Sequence, residues 1–452
     1  MKGATQGTTR GVAMKQGKDV GAEGKLAVLL PGLGAVATTF VAGVELLKQG
    51  KGVPVGSLTQ LGMFAPRGDE TTPVRVKDLV PLANVEELVF GAWDITDEDG
   101  YAVAERSEVL SREHIELARG ALKALKPKKG VHDPDRVRRL EANHVKAGTH
   151  RQKVEALRQD IRDFKRELGA SRAVMVFCAS TEAYRAPGAA VESLRNFERA
   201  LDASDPELSP TMLYAYAALC EGVPFLNGTP NVSVDTKALQ ELAREKRVPL
   251  AGKDFKSGQT MMKTVLAPAL RARMLGLRGW FSTNILGNRD GEVLDDPQAF
   301  RSKEITKGSV LETILEGALY PELYGEISHK VTIHYYPPRG DAKEGWDIID
   351  LFGWLGYPMQ IKINFLCRDS ILAAPLVLDL ALLGDLAKRQ GRAGLQDWLS
   401  FYFKSPMTPA GVPPEHDLFA QYHRLEATLR AMAAEHEAQK AAALVEIEHV
   451  AV

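Results

Sequence analysis

Lys25 to Leu30 (KLAVLL) is a short, unbroken apolar run, the pattern of a strand buried on both faces in a parallel sheet. Gly32 and Gly34 follow at once, and Ala35 to Lys48 repeats its apolar residues at helical spacing before Gly50. The first unit therefore reads strand, glycine turn, helix. Further strands are expected at Glu87 to Phe90, Ala173 to Ala179 and Val248 to Ala251, with helix-rich sequence between them. This alternation predicts an α/β doubly wound sheet. Ser107 to Leu168, dense in Arg, Lys, Glu and Ala, predicts a long, exposed helical excursion from that sheet. From Phe255 to Asn364, strands expected at Lys330 to Tyr336 and Met359 to Phe365 are mixed with loops rich in Gly, Asn, Asp and Lys, which reads as a separate catalytic domain. Ile371 to Leu383 is expected to form a buried helix although Pro375 and Asp379 interrupt it, and Glu415 to about Ala443 a long helix returning to the first domain.

Size and composition narrow the picture. At 452 residues the chain exceeds the roughly 250 to 300 at which a single core stops growing, so more than one domain is expected. The expected division is a flexible 1–24, a sheet domain at 25–253 with its insertion at 107–168, a second domain at 254–365, and C-terminal helices at 366–452. Basic and acidic residues number 57 and 58, a balance that gives no nucleic-acid footprint. The basic clusters at Lys126 to Lys129 and Arg136 to Arg139 read as one solvated helix face. Cys178, Cys220 and Cys367 stand apart in apolar stretches, without CxxC spacing, so no disulfide framework is expected. Met1 to Gly24 lacks the apolar core of a signal peptide, and no run reaches the roughly 18 apolar residues of a membrane span. The expectation is a cytoplasmic chain with no membrane partner.

Several segments carry candidate chemistry. In the turn after the first strand, Gly32, Gly34, Ala35 and Val36 place backbone N–H groups at a helix N-terminus, where a pyrophosphate is favoured, although an ordinary tight turn has the same pattern. Asp94 offers a carboxylate to a ribose or serves as a helix cap. Ala179, Ser180 and Thr181 end a strand where ligands lie in open α/β sheets, or cap a helix. Gly228 sits in a polar turn, Phe225 to Asn231, that suits a site loop or a plain turn. Lysines recur in loops at 253–260 and 301–307, beside an Asn- and Asp-rich loop at 284–291. Lys303 and Lys307, four apart, repel on a helix by a few tenths of a kcal/mol unless an anion such as a sugar phosphate lies between them; a solvated face is the plainer alternative. Asp341 and Lys343, Asp369 and Ser370, and Lys404 in its aromatic setting complete the set. A desolvated lysine shifts its pKa and becomes a proton shuttle or carbonyl partner.

DFKSGQT at Asp254 to Thr260, LGNRDG at Leu286 to Gly291, RSKEITK at Arg301 to Lys307, GDAK at Gly340 to Lys343 and CRDS at Cys367 to Ser370 occur in one order. Together they resemble the myo-inositol-1-phosphate synthase family, over about Leu26 to Pro406. The resemblance implies a Rossmann-like NAD-binding domain built from N- and C-terminal portions, with an inserted α+β catalytic and oligomerisation domain, and usually a homotetramer. It implies NAD as cofactor and glucose 6-phosphate as substrate, isomerised to 1D-myo-inositol 3-phosphate for inositol and phospholipid biosynthesis. By similarity, NAD would contact Gly32, Gly34, Ala35, Val36, Asp94, Ala179, Ser180, Thr181, Gly228, Asp254, Ser257, Asn288, Asp290, Asp369 and Ser370. Lys303, Lys307, Lys343 and Lys404 match the family's catalytic lysines, with Asp341 beside them. Lys303 and Lys404 are assigned to the carbon 5 oxygen, and Lys343 and Lys307 to the carbon 1 end or the phosphate. The chain departs from many relatives at Ala35 to Ala37, Lys253 and Arg289, and a metal or monovalent-ion requirement is left open. Rival readings are a non-catalytic NAD-binding scaffold and a sugar-phosphate dehydrogenase with net redox change.

Overall fold

The computed structural model describes residues 22–68, 70–294 and 310–450, without the side chains of 289, 290, 294 and 442–450. The expected flexible residues 1–21 lie outside it. β1 (Leu26–Pro31) is buried throughout, as its unbroken apolar run requires. It is followed by α1 (Ala35–Lys48), β2 (Leu88–Asp94), β3 (Lys128–Lys129), α2 (His150–Leu168), β4 (Arg172–Phe177), α3 (Pro210–Cys220), β5 (Phe225–Asn227) and β6 (Pro249–Gly252). After the second sheet, α5 (Asp369–Arg389) and β11 (Gly394–Leu395) bring the chain back, and α6 (Leu418–Val450) ends it.

The first sheet runs β11-β6-β5-β4-β1-β2-β3 and every pairing is parallel. Strand order reverses between β1 and β4, so a crevice opens beyond their carboxyl ends. The two-residue period of β1 feeds two cores: Leu26, Val28 and Leu30 pack with α1 and α5, while Ala27 and Leu29 pack with α2 and α3. Among the described residues α5 is the one helix long and apolar enough to cross a membrane, and it is largely buried in this core. Its Asp379 is fully buried and accepts bonds from Ser57, Thr59, the Leu58 N–H and Tyr402. A buried carboxylate persists only with such partners.

Between β6 and α5 lie α4 (Gly258–Ala272), β7 (Gly276–Leu286), β8 (Ser328–Tyr335), β9 (Ala342–Phe352) and β10 (Pro358–Arg368). They form a four-stranded sheet of order β8-β7-β9-β10, with β7 and β8 parallel and the other pairs antiparallel. Trp280, Ile349 and Leu351 turn inward against α4 and the helix Val310–Leu315. The opposite face presents Phe281, Trp346 and Leu366 to solvent. The α/β class read from the sequence holds.

The expected long helical excursion at 107–168 does not. Its first half is two short helices, Arg112–Leu117 and Arg119–Ala124, then the edge strand β3 and a stretch without helix up to α2. The arginine cluster is no solvated helix face either. Arg136 is 4% exposed, and its guanidinium donates to the carbonyls of Pro206 and Glu207 at 2.9 and 2.7 Å. Charge-rich composition matched a helix pattern, but Arg136 is spent on tertiary carbonyls, while Arg138 and Arg139 are exposed in a stretch without helix.

Candidate active site

The β1–α1 turn depends on two glycines for different reasons. Gly32 has φ +91°, and a Cβ there would lie 2.4 Å from the Ala179 Cα, so only glycine lets this turn meet the end of β4. Pro31 and Trp93 carbonyls receive the N–H groups of Cys178 and Gly32, at 3.0 and 2.9 Å, and lock three strand ends together. Gly34 begins α1 with no side-chain cap, and a Cβ on it would meet nothing within 4 Å. The uncapped first turn of α1 thus lines the cleft through Gly34, Ala35 and Val36, the arrangement that attracts an anion.

At the end of β2, Asp94 caps no helix. Its Oδ1 accepts the N–H groups of Ile95 and Thr96, at 2.8 and 3.1 Å, and closes the turn. Ser180 and Thr181 do not begin a helix; Asn231 bonds the Ser180 carbonyl and the Glu182 N–H, fastening the loops after β4 and β5. Gly228 leaves room for Phe255, whose ring would lie 2.1 Å from a Cβ. Phe255 in turn donates its N–H to the Gly228 carbonyl.

The second sheet closes the other side. Asp254, at φ +65°, gives its N–H to Thr229 and takes that of Lys404 at 2.6 Å. The Lys404 Nζ lies 3.3 Å from the Asp254 Oδ1, with both side chains under 10% exposed. Lys343 Nζ pairs with the Asp369 Oδ2 at 2.7 Å, beside Gly258 at the start of α4. Asp341 Oδ1 accepts Asn288 Nδ2 at 2.9 Å and Ser370 Oγ at 3.1 Å. Burial pushes the Asp341 carboxyl above its usual range and the charge of Asp369 adds to the shift, while the bonds from Asn288 and Ser370 oppose it. Asp254 Oδ2 and Asp341 Oδ2 are buried and find no hydrogen-bond partner among the described residues. Such oxygens call for a donor from a bound molecule.

These walls enclose one cleft of about 490 Å³. Gly32, Gly34, Ala35, Val36, Asp94, Ala179, Ser180, Thr181, Gly228, Asp254, Ser257, Asn288, Asp341, Asp369, Ser370 and Lys404 all line it, although they come from segments far apart in the chain. Lys343 reaches it through Asp369. Asp290 belongs to the helical turn Arg289–Leu294, its side chain not described, and Lys303 and Lys307 fall outside the described residues. Among the described residues no group of three His, Cys, Asp or Glu is arranged to hold a metal. Residues not singled out from the sequence also line the cleft: Trp93, Arg106, Glu108, His132, Val137 and Leu140. Lys256, inside the DFKSGQT segment, had a local signal but no assigned role; burial lowers its pKa to about 7, and it donates to Gln421 of α6.

A profile of the myo-inositol-1-phosphate synthase family matches residues 26–430. An inositol-3-phosphate synthase of Bacteroides thetaiotaomicron is 51% identical, across 92% of this chain and 97% of that protein. The chain belongs to the myo-inositol-1-phosphate synthase family. An inositol-3-phosphate synthase of Oryza sativa is 36% identical, across 90% of this chain and 86% of its own length. The crystal structure of the Caenorhabditis elegans inositol-3-phosphate synthase superposes with a TM-score of 0.84 at 28% identity, covering 90% of this chain and 86% of that one. NAD is the cofactor of the family. The residues here fit it: the uncapped N-terminus of α1 would suit the pyrophosphate, the Asp94 carboxylate a ribose, and the orphaned Asp254 and Asp341 oxygens would accept from donors of a bound group.

Proposed function

We propose that this chain isomerises D-glucose 6-phosphate to 1D-myo-inositol 3-phosphate at the cleft between its two sheets. The observation that carries the reading is the convergence of two lysine–aspartate pairs, Lys404 with Asp254 and Lys343 with Asp369, around the buried Asp341. NAD, when bound, would supply a hydride acceptor and donor for carbon 5. Gly32, Gly34, Asp94 and the 179–181 and 228 loops would hold it. A ketone at carbon 5 acidifies the protons of carbon 6, and the resulting enolate attacks the carbon 1 aldehyde. Negative charge then develops on two oxygens in turn, and fixed ammonium groups in a water-poor site stabilise it without reorganising. Lys404, buried against Asp254, serves the carbon 5 oxygen and its proton. Lys343 serves the carbon 1 end or the phosphate, since it stands beside the N-terminus of α4, where Ser257 makes no side-chain cap. Lys303 and Lys307 are assigned the same division on sequence grounds, with Lys303 at carbon 5.

We also assign the exposed face of the second sheet to contact with further copies of the chain. Phe281, Trp346 and Leu366 stand 38%, 45% and 61% exposed on it, more apolar surface than a solvated sheet face keeps. A cytoplasmic homotetramer is the assembly this reading gives. Incubation of the purified protein with glucose 6-phosphate and NAD, followed by chromatography, is expected to yield inositol phosphate. Lys404→Met is expected to bind NAD yet lower turnover by about 10²–10⁴-fold. Substantial turnover in that variant at saturating substrate would remove Lys404 from the chemistry.

A further inference from the structure

The stretch from Gly130 to Lys146 has no role in the scheme above, yet Gly130, Val131, His132, Val137 and Leu140 all line the cleft. It starts at the Asp94 end, where the Gly130 N–H donates to the Asp94 carbonyl at 2.8 Å. It returns there as well, the N–H groups of Asn143 and His144 both meeting the Ile95 carbonyl. In between, His132, Val137 and Leu140 line the cleft. Arg136 pins the segment from below, through its guanidinium to Pro206 and Glu207 and through its carbonyl to the N–H of Ala183, at 2.7 Å, next to the 179–181 wall. Arg139 reaches across to the second domain and donates to the carbonyl of Glu292, in the helical turn after Asn288. One segment thus ties together the ribose-side strand end, the loop after β4 and the edge of the catalytic domain.

We infer that residues 131–143 form a strap that retains the reduced cofactor between the two hydride transfers, with Arg136 and Arg139 as its positioning residues. The inference rests on the reading of this cleft as the NAD site. The family's reaction has no net redox change, so cofactor lost after the first transfer strands an oxidised intermediate and ends the cycle. A dehydrogenase that releases NADH each turnover has no need of such a strap. Opening must break the Arg139 contact to the second domain and lift Val137 and Leu140 off the cleft, while Arg136 acts as the hinge-side anchor.

The test is displacement of NADH from the full-length protein by excess NAD, followed by stopped-flow fluorescence, with NADH appearing in solution per inositol phosphate formed as a second readout. Arg139→Ala, at an exposed position, and Leu140→Gly, at a partly buried one, are expected to speed NADH dissociation at least tenfold and to raise NADH leakage. Arg136→Met should do the same, and Arg136→Lys should recover part of the loss. Dissociation within twofold of the unaltered protein in the Arg139 and Leu140 variants overturns the strap. Asp94→Ala serves as the separate control: if it leaves NAD affinity unchanged, the cleft assignment itself falls, whatever the strap variants do.

Discussion

Two residues illustrate how burial sets chemistry. Asp341 is held above the usual carboxylate range mainly by desolvation, yet Asn288 and Ser370 hold one of its oxygens in place. Asp341→Asn keeps the shape and removes the charge, so it should lower kcat by about 10²-fold with little change in thermal midpoint, as steady-state rates and a melting curve would show. Lys256 is 5% exposed, and its pKa falls to about 7, with Glu415 and Asp417 opposing the shift and His416 buried nearby. Between pH 7 and the ordinary lysine value the unfolded chain binds the extra proton, so this residue makes stability rise with pH across that window. The effect is of order a few kcal/mol at most. Denaturation midpoints at pH 7 and 9.5 should therefore diverge less for Lys256→Met than for the unaltered protein; equal divergence would contradict the assignment. At this scale the motifs of the second domain were legible because their residue types are unusual in loops. Arg136 was not, because nothing in a run of arginines says which guanidinium finds buried carbonyls.

The β1–α1 unit was readable from an unbroken apolar run, two glycines and a helical repeat: the helix spans Ala35–Lys48 as expected, and the strand Leu26–Pro31 is shifted by one residue from the expected Lys25 to Leu30. Its two glycines separate stability from binding. Gly32→Ala drives a Cβ into the Ala179 backbone at positive φ and should cost roughly 1–3 kcal/mol of stability. Gly34→Ala meets no atom, so the fold should hold within about 0.5 kcal/mol while NAD titration by fluorescence weakens at least tenfold, because the methyl occupies the approach of the pyrophosphate. Unchanged NAD affinity in Gly34→Ala would place the cofactor elsewhere. Other elements escaped the sequence pattern for physical reasons. β3 and β11 are two residues each, too short for any period. β7 carries Ser282, Thr283 and Asn284 and reads as a polar loop, yet Ser282 and Trp280 are satisfied by the buried Asp347 from β9, a partner remote in sequence.

At the scale of the molecule, the chain leaves the first sheet after β6, builds a second, and returns through α5 to add β11, so that the cleft is sealed by residues from both. That closure is what the sequence could not display, although the order of its motifs anticipated the participants. The exposed face of the second sheet predicts assembly: Trp346→Lys with Leu366→Lys should shift the protein to a smaller species in analytical ultracentrifugation, and an unchanged mass would place the interface elsewhere. In the proposed reaction one hydride leaves carbon 5 and comes back within a single site. This return is tested most directly with glucose 6-phosphate deuterated at carbon 5, NAD below the substrate concentration, and mass spectrometry of the product. Many inositol phosphates per NAD are expected, each retaining its deuterium, with no NADH accumulating. Product without the label, or NADH formed one for one with substrate consumed, would contradict it.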